Sequence, residues 1–125
     1  EGSLLEIMMA TAQGRLHEVP VKFREGAACC VVLASKGYPK AYEKGYPMTL
    51  PELKAGEEIY IAGAEEKDGQ LLTSGGRVLG AVAVGQDLRQ AVDAAYGLAE
   101  RIHFANAFYR RDIGRRALEA LRGER

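Results

Sequence analysis

Thr73-Ser74-Gly75-Gly76-Arg77-Val78-Leu79-Gly80-Ala81-Val82-Ala83-Val84-Gly85 is the stretch whose reading decides the fold. A glycine pair and a single arginine lead into an apolar run. Strand alternation puts Val78, Gly80, Val82 and Val84 on one face and Leu79, Ala81 and Ala83 on the other. A run that is apolar on both faces reads as a strand buried on both sides. The glycines let the backbone turn tightly and let another group come close. Arg77 stands at the strand's entrance, where its planar fork can reach solvent or an anion. The amides of Gly75 and Gly76 beside that fork suit a phosphate monoester. The same arginine would serve equally well as a structural ion-pair partner.

Downstream, Asp87 is a good N-cap, and Leu88, Ala91, Val92, Ala95, Leu98, Ala99 and Ile102 recur at helical spacing. They predict a long amphipathic helix to about Ile102. Phe104 to Arg110 reads as a short aromatic strand or extended segment, and Ile113 to Leu121 as a terminal helix with Ile113, Ala117, Leu118 and Leu121 inward. Upstream, Glu57 to Ala64 predicts a strand, Asp68-Gly69 a hairpin turn, and Gln70 to Thr73 the return. Leu50 to Leu53 reads as a single turn. Ala27 to Ser35 is a further strand, again apolar on both faces. Ser3 to Gln13 reads as a helix, with Ser3 and Glu6 as a capping box and Leu4, Leu5, Met8 and Met9 as its apolar stripe. The pattern predicts an α+β domain: a small, mostly antiparallel sheet with helices packed on one face.

The 125 residues suffice for one domain with a real core. Seventeen basic and seventeen acidic residues balance, which argues against a general nucleic-acid or membrane-surface role. No apolar run approaches the roughly 20 residues of a membrane span. The first residues show neither an initiator Met nor the basic start of a secretion signal, so the chain is expected to be a piece of a longer protein. Cys29 and Cys30 read as two buried thiols of an intracellular protein. His17 and His103 carry no catalytic or metal spacing. Between Tyr38 and Pro47, three tyrosines interleave with Lys40 and Lys44, just after Lys36. Such a segment can clamp a nucleotide by stacking and charge, or form a surface loop with a small core of its own.

Four motifs in order carry a resemblance: Val31-Val32-Leu33-Ala34-Ser35-Lys36-Gly37-Tyr38-Pro39, Tyr42-Glu43-Lys44-Gly45, Ser74-Gly75-Gly76-Arg77-Val78-Leu79-Gly80 and Tyr109-Arg110-Arg111-Asp112-Ile113-Gly114-Arg115-Arg116-Ala117-Leu118. Together they resemble the C-terminal region of phosphoribosylamine–glycine ligases, ATP-grasp enzymes of purine biosynthesis. The resemblance implies an accessory domain of the rudiment single hybrid motif type. It implies that residues 1–18 are the helical tail of a preceding ATP-grasp domain and residues 19–125 the accessory domain. It also implies a cytoplasmic carbon–nitrogen ligase that phosphorylates the glycine carboxylate with ATP and lets the amine of 5-phosphoribosylamine attack. ATP and Mg²⁺ would be held mainly by the upstream domain, leaving this chain inactive alone. Gly75, Gly76 and Arg77 are the first expected contacts to the substrate phosphate, with Lys44 and Tyr38 second; Arg110 and Arg111 would reach it or pin the last helix to Asp112. Four positions depart from the family pattern: Ile61 and Ala64 where a His and a Thr are common, Lys36 before Gly37 where Gly-Gly is usual, and Ser74 in place of Asn. Readings that remain open are a free-standing phosphosugar- or nucleotide-binding module and a purely structural domain.

Overall fold

Strand-forming residues, glycine turns and one strongly amphipathic helix assemble into a single layer of sheet backed by helix. The structure, a computed structural model, describes residues 1–123. Its elements are α1 (Leu4–Ala12), a short 3-10 turn (Leu16–Glu18), β1 (Ala27–Ser35), β2 (Glu57–Ile61), β3 (Ala64–Lys67), β4 (Gln70–Thr73), β5 (Arg77–Gly85), α2 (Leu88–Ala99), β6 (Ala107–Phe108) and α3 (Arg115–Leu121). The main sheet runs β2-β5-β1-β6 and is antiparallel throughout. β3 and β4 form a separate hairpin, turned at Asp68-Gly69, where both residues take positive φ. The α+β architecture predicted from the sequence is the one observed.

β5 lies at the centre, between β1 and β2. The Asp87 carboxylate caps α2 by accepting from the Gln90 amide at 2.9 Å. Ala91, Val92, Ala95, Leu98 and Ala99 of α2 then pack on Val31 and Leu33 of β1 and on Leu79, Ala81 and Ala83 of β5. Small residues along the facing strand let the helix sit close to the sheet. Ile113 and Leu118 close one end of this core.

The opposite face of the sheet is open. Ala28, Cys30 and Val32 of β1, Val84 of β5 and Tyr60 of β2 are exposed, and Gly80 and Val82 are half-buried. This corrects the expectation that β1 and β5 are buried on both sides. Their composition is that of a two-sided strand, but this chain supplies one helical layer. It also corrects the pair of buried thiols: Cys29 faces the helix and is buried, whereas Cys30 faces outward. Burial, with neighbouring Cys30 adding to it, pushes the Cys29 thiol above its ordinary pKa.

Four further expectations change. Glu57 to Ala64 is two strands, because the Ala62 and Gly63 amides both donate to the Val78 carbonyl and turn the chain out of the sheet. Leu50 to Leu53 forms no turn, and the turn falls at Ala55-Gly56. The aromatic segment contributes only Ala107 and Phe108 to the sheet. In α3, Ala117 and Leu121 are exposed, so Leu118, with Ile113 just before the helix, makes the inward contact. α1 forms as expected, with Ser3 Oγ accepting from the Glu6 amide. Its Leu4, Leu5, Met8 and Met9 stripe is exposed.

Candidate functional site

The Gly75-Gly76-Arg77 turn is shaped by a break in register. β1 and β5 pair regularly from Ala27 with Gly85 to Leu33 with Leu79; Ala34 then pairs with Arg77, leaving Val78 as an extra residue. A bulge of this kind re-aims the side chain beside it. Under uninterrupted alternation Arg77 would share the helix-covered face with Leu79. Instead Val78 is buried, and Arg77 emerges exposed beside Val32, Tyr60 and Gly80 of the open face. Those residues, with Tyr38, Ile61, Ala62 and Gly76, line a shallow concavity of about 550 Å³.

Gly76 is required by Tyr38. A Cβ at Gly76 would lie 2.1 Å from Tyr38 Cδ2, so the ring rests directly on the glycine. The Gly75 backbone crosses that of Gly63 just as closely. A Cβ at Gly63 would lie 2.7 Å from Gly75 Cα, and the Ser74 and Gly75 amides both donate to the Gly63 carbonyl, at 2.8 and 3.0 Å. The Gly75 N–H is therefore committed to the fold. The Gly76 N–H and the Arg77 guanidinium, by contrast, have no partner among the described residues. An exposed guanidinium beside a free amide, over an aromatic and apolar floor, is equipped for an anion attached to a less polar body.

Of the residues singled out in the sequence, Tyr38, Gly76 and Arg77 thus meet in one concavity, and Gly75 supports them from behind. Lys44 stands apart: its Nζ lies 5.7 Å from the Tyr42 ring, which in turn meets Tyr38 edge-on at 6.0 Å. Tyr46 packs against the main core, and its hydroxyl donates to the Glu43 carboxylate. Tyr60, Val32 and Gly80 join the site through sheet register, which spacing within one strand does not reveal. Arg110 donates twice to Asp112, at 2.8 and 2.6 Å, which holds the Asp112 carboxyl below its usual range. Arg111 meets Glu100 at 3.2 Å and covers the Tyr109 ring. Arg110 braces its own corner and Arg111 ties that corner to Glu100 at the end of α2, both away from the concavity.

Among the described residues no three His, Cys, Asp or Glu side chains are grouped to hold a metal ion, and the concavity contains no carboxylate. The residues present do not fit a Mg²⁺–nucleotide centre of their own. Among the same residues no helix is long and apolar enough to cross a membrane.

A helix-backed antiparallel sheet with one open face, and an exposed glycine–arginine turn at its rim, define a small α+β domain. Residues 28–116 match the family model described as phosphoribosylglycinamide synthetase, C domain, and the chain belongs to that family. It is 46% identical over 120 residues to phosphoribosylamine–glycine ligase of Leptospira interrogans, covering 94% of this chain and 28% of that protein. The corresponding protein of Agrobacterium fabrum is 44% identical over 119 residues, with the same coverage. The crystal structure of phosphoribosylamine–glycine ligase from Thermotoga maritima superposes with a TM-score of 0.71 at 42% identity, covering 86% of this chain and 27% of that one. The chain therefore spans little more than a quarter of the length of these relatives.

Proposed function

We propose that this chain works as the C-terminal domain of an ATP-dependent phosphoribosylamine–glycine ligase, with the Arg77 guanidinium and the Gly76 N–H receiving the 5-phosphate of phosphoribosylamine. The observation that carries this reading is the bulge that leaves Arg77 exposed, with no ion-pair partner among the described residues, over the Tyr38–Tyr60 floor. Tyr38 offers its ring to the sugar, and Lys44 contributes charge at longer range through the loop. Residues 1–18 are the tail of the preceding ATP-grasp domain and residues 19–125 the accessory domain, of which the last two residues lie outside the described structure. That upstream domain covers the open sheet face, holds ATP, Mg²⁺ and glycine, and carries out the activation chemistry in the cytoplasm. This chain orients the phosphoribosyl end and leaves the amine facing the upstream domain.

Replacing Arg77 with Ala in the full-length ligase tests the reading. Losing one charge-assisted phosphate contact should cost about 2–3 kcal/mol, a fall in kcat/KM for phosphoribosylamine of about 30- to 150-fold. The KM values for ATP and glycine should stay put. An unchanged kcat/KM for phosphoribosylamine would remove the contact and leave the domain a structural role.

A further inference from the structure

Ser35 is buried, polar and distant in sequence from the glycine–arginine turn, yet it is hydrogen-bonded to both of its glycines. Its backbone amide donates to the Gly76 carbonyl at 2.8 Å, and its hydroxyl donates to the Gly75 carbonyl at 3.0 Å. Its own carbonyl accepts from the Tyr38 amide at 3.1 Å. The side chain has no exposed surface. The two segments that build the concavity thus meet at one residue. On one side lies the turn that presents the Gly76 N–H and Arg77, on the other the loop that presents Tyr38. Ser35 is also the last residue of β1, two positions past Leu33, where the β1–β5 register shifts.

We infer that Ser35 is the positioning residue of the phosphate-binding turn, acting through its hydroxyl on Gly75 to fix the direction of the Gly76 N–H and of Arg77. The inference rests on the function proposed above. The physical reason is geometric. The bulge frees Arg77 from sheet alternation, so pairing with β1 no longer dictates its direction. Outside the ladder, a glycine peptide that is not otherwise held rotates more freely than that of a residue with a side chain. Two hydrogen bonds from a single buried residue remove that freedom. Tyr38 resting on Gly76 removes what is left, and Ser35 holds Tyr38 in place as well.

The test is a double-mutant cycle in the full-length ligase with Ser35→Ala and Arg77→Ala. Ser35→Ala should raise KM for phosphoribosylamine about tenfold, since small misplacements of a binding group cost that order of affinity or more. The KM values for glycine and ATP, and kcat, should remain within about twofold, a selectivity that general loosening of the fold does not produce. In the Arg77→Ala background the same substitution should change KM less than about twofold, because the group it aims is gone. Equal factors in both backgrounds, or parallel rises in all three KM values, overturn the inference. A silent Arg77→Ala beside an effective Ser35→Ala instead overturns the proposed phosphate contact, so the two failures are distinct. If Ser35→Ala does not accumulate as folded protein, Ser35→Cys runs the same comparison with a weaker donor of similar size. An intermediate rise confined to phosphoribosylamine supports the role, and no change overturns it.

Discussion

Glu57 shows how a single carboxylate can hold two layers together. It begins β2 on the helix-covered face, and Arg101, just beyond α2, reaches it there while also donating to the Glu52 carbonyl at 2.9 Å. Burial alone would push the Glu57 carboxyl up. The Lys54 amide at 2.8 Å and the Arg101 guanidinium outweigh it and hold the group below its ordinary value. A depressed folded-state pKa stabilises the protein above the unfolded-state value and loses that contribution as pH falls through the folded one. Glu57→Gln should therefore destabilise the protein by about 1–2 kcal/mol at neutral pH. The gap should shrink once pH drops below about 4. Urea midpoints of the two proteins at pH 7 and pH 3 check this, and a gap that stays constant would dismiss the charge as its cause.

At the scale of elements, the sheet is held by one helix, and the cost of loosening it depends on which residue is cut. Leu98 of α2 is fully buried against β1 and β5, so Leu98→Ala should cost about 2–5 kcal/mol. Leu121 of α3 is 74% exposed, and Leu121→Ala should stay within about 0.5 kcal/mol. Chemical denaturation of both variants measures the contrast. Comparable losses would mean that α3 packs more tightly than its exposure indicates. The helical spacing from Leu88 onward and the alternation of β5 made these elements legible in the sequence, as did Ser3 and Asp87 at the helix starts. The split of the Glu57 strand was not legible. It depends on Gly63 meeting Gly75, a contact between backbones whose approach only the fold reveals. The site was half legible for the same reason. Gly76, Arg77 and Tyr38 announce themselves by residue type, whereas Tyr60, Val32 and Gly80 enter through cross-strand register, and the bulge that turns Arg77 outward leaves no mark in an alternating pattern.

For the whole molecule the governing feature is the uncovered apolar face, with the proposed phosphate contact at its rim. If the upstream domain covers that face, substrate is bound where two bodies meet. The surface chemistry can be tested at two exposed valines, of which Val32 also lines the concavity and Val84 lies apart from it. Val84 is 58% exposed and Val32 42%. Replacing both with Lys should change the unfolding free energy of this chain by no more than about 1 kcal/mol, the span of strand preference at exposed positions. In the full-length ligase the same pair should expose the segment between α1 and β1 to limited proteolysis. An unaltered cleavage pattern would place the partner surface elsewhere.

The two-residue β6 has a consequence of its own. It pairs with Ala34 and Ser35 only, so among the described residues the outer border of β1 from Ala27 to Leu33 has no strand beside it. A row of backbone donors and acceptors left bare in this way is a template that an extended peptide can zip onto, regardless of its side chains. Charged side chains and proline are the usual guards of such a border, and Ala-Ala-Cys-Cys-Val-Val-Leu contains neither. That border is where a further strand could lengthen the sheet, and where two copies of the chain, brought together at high concentration, would first stick.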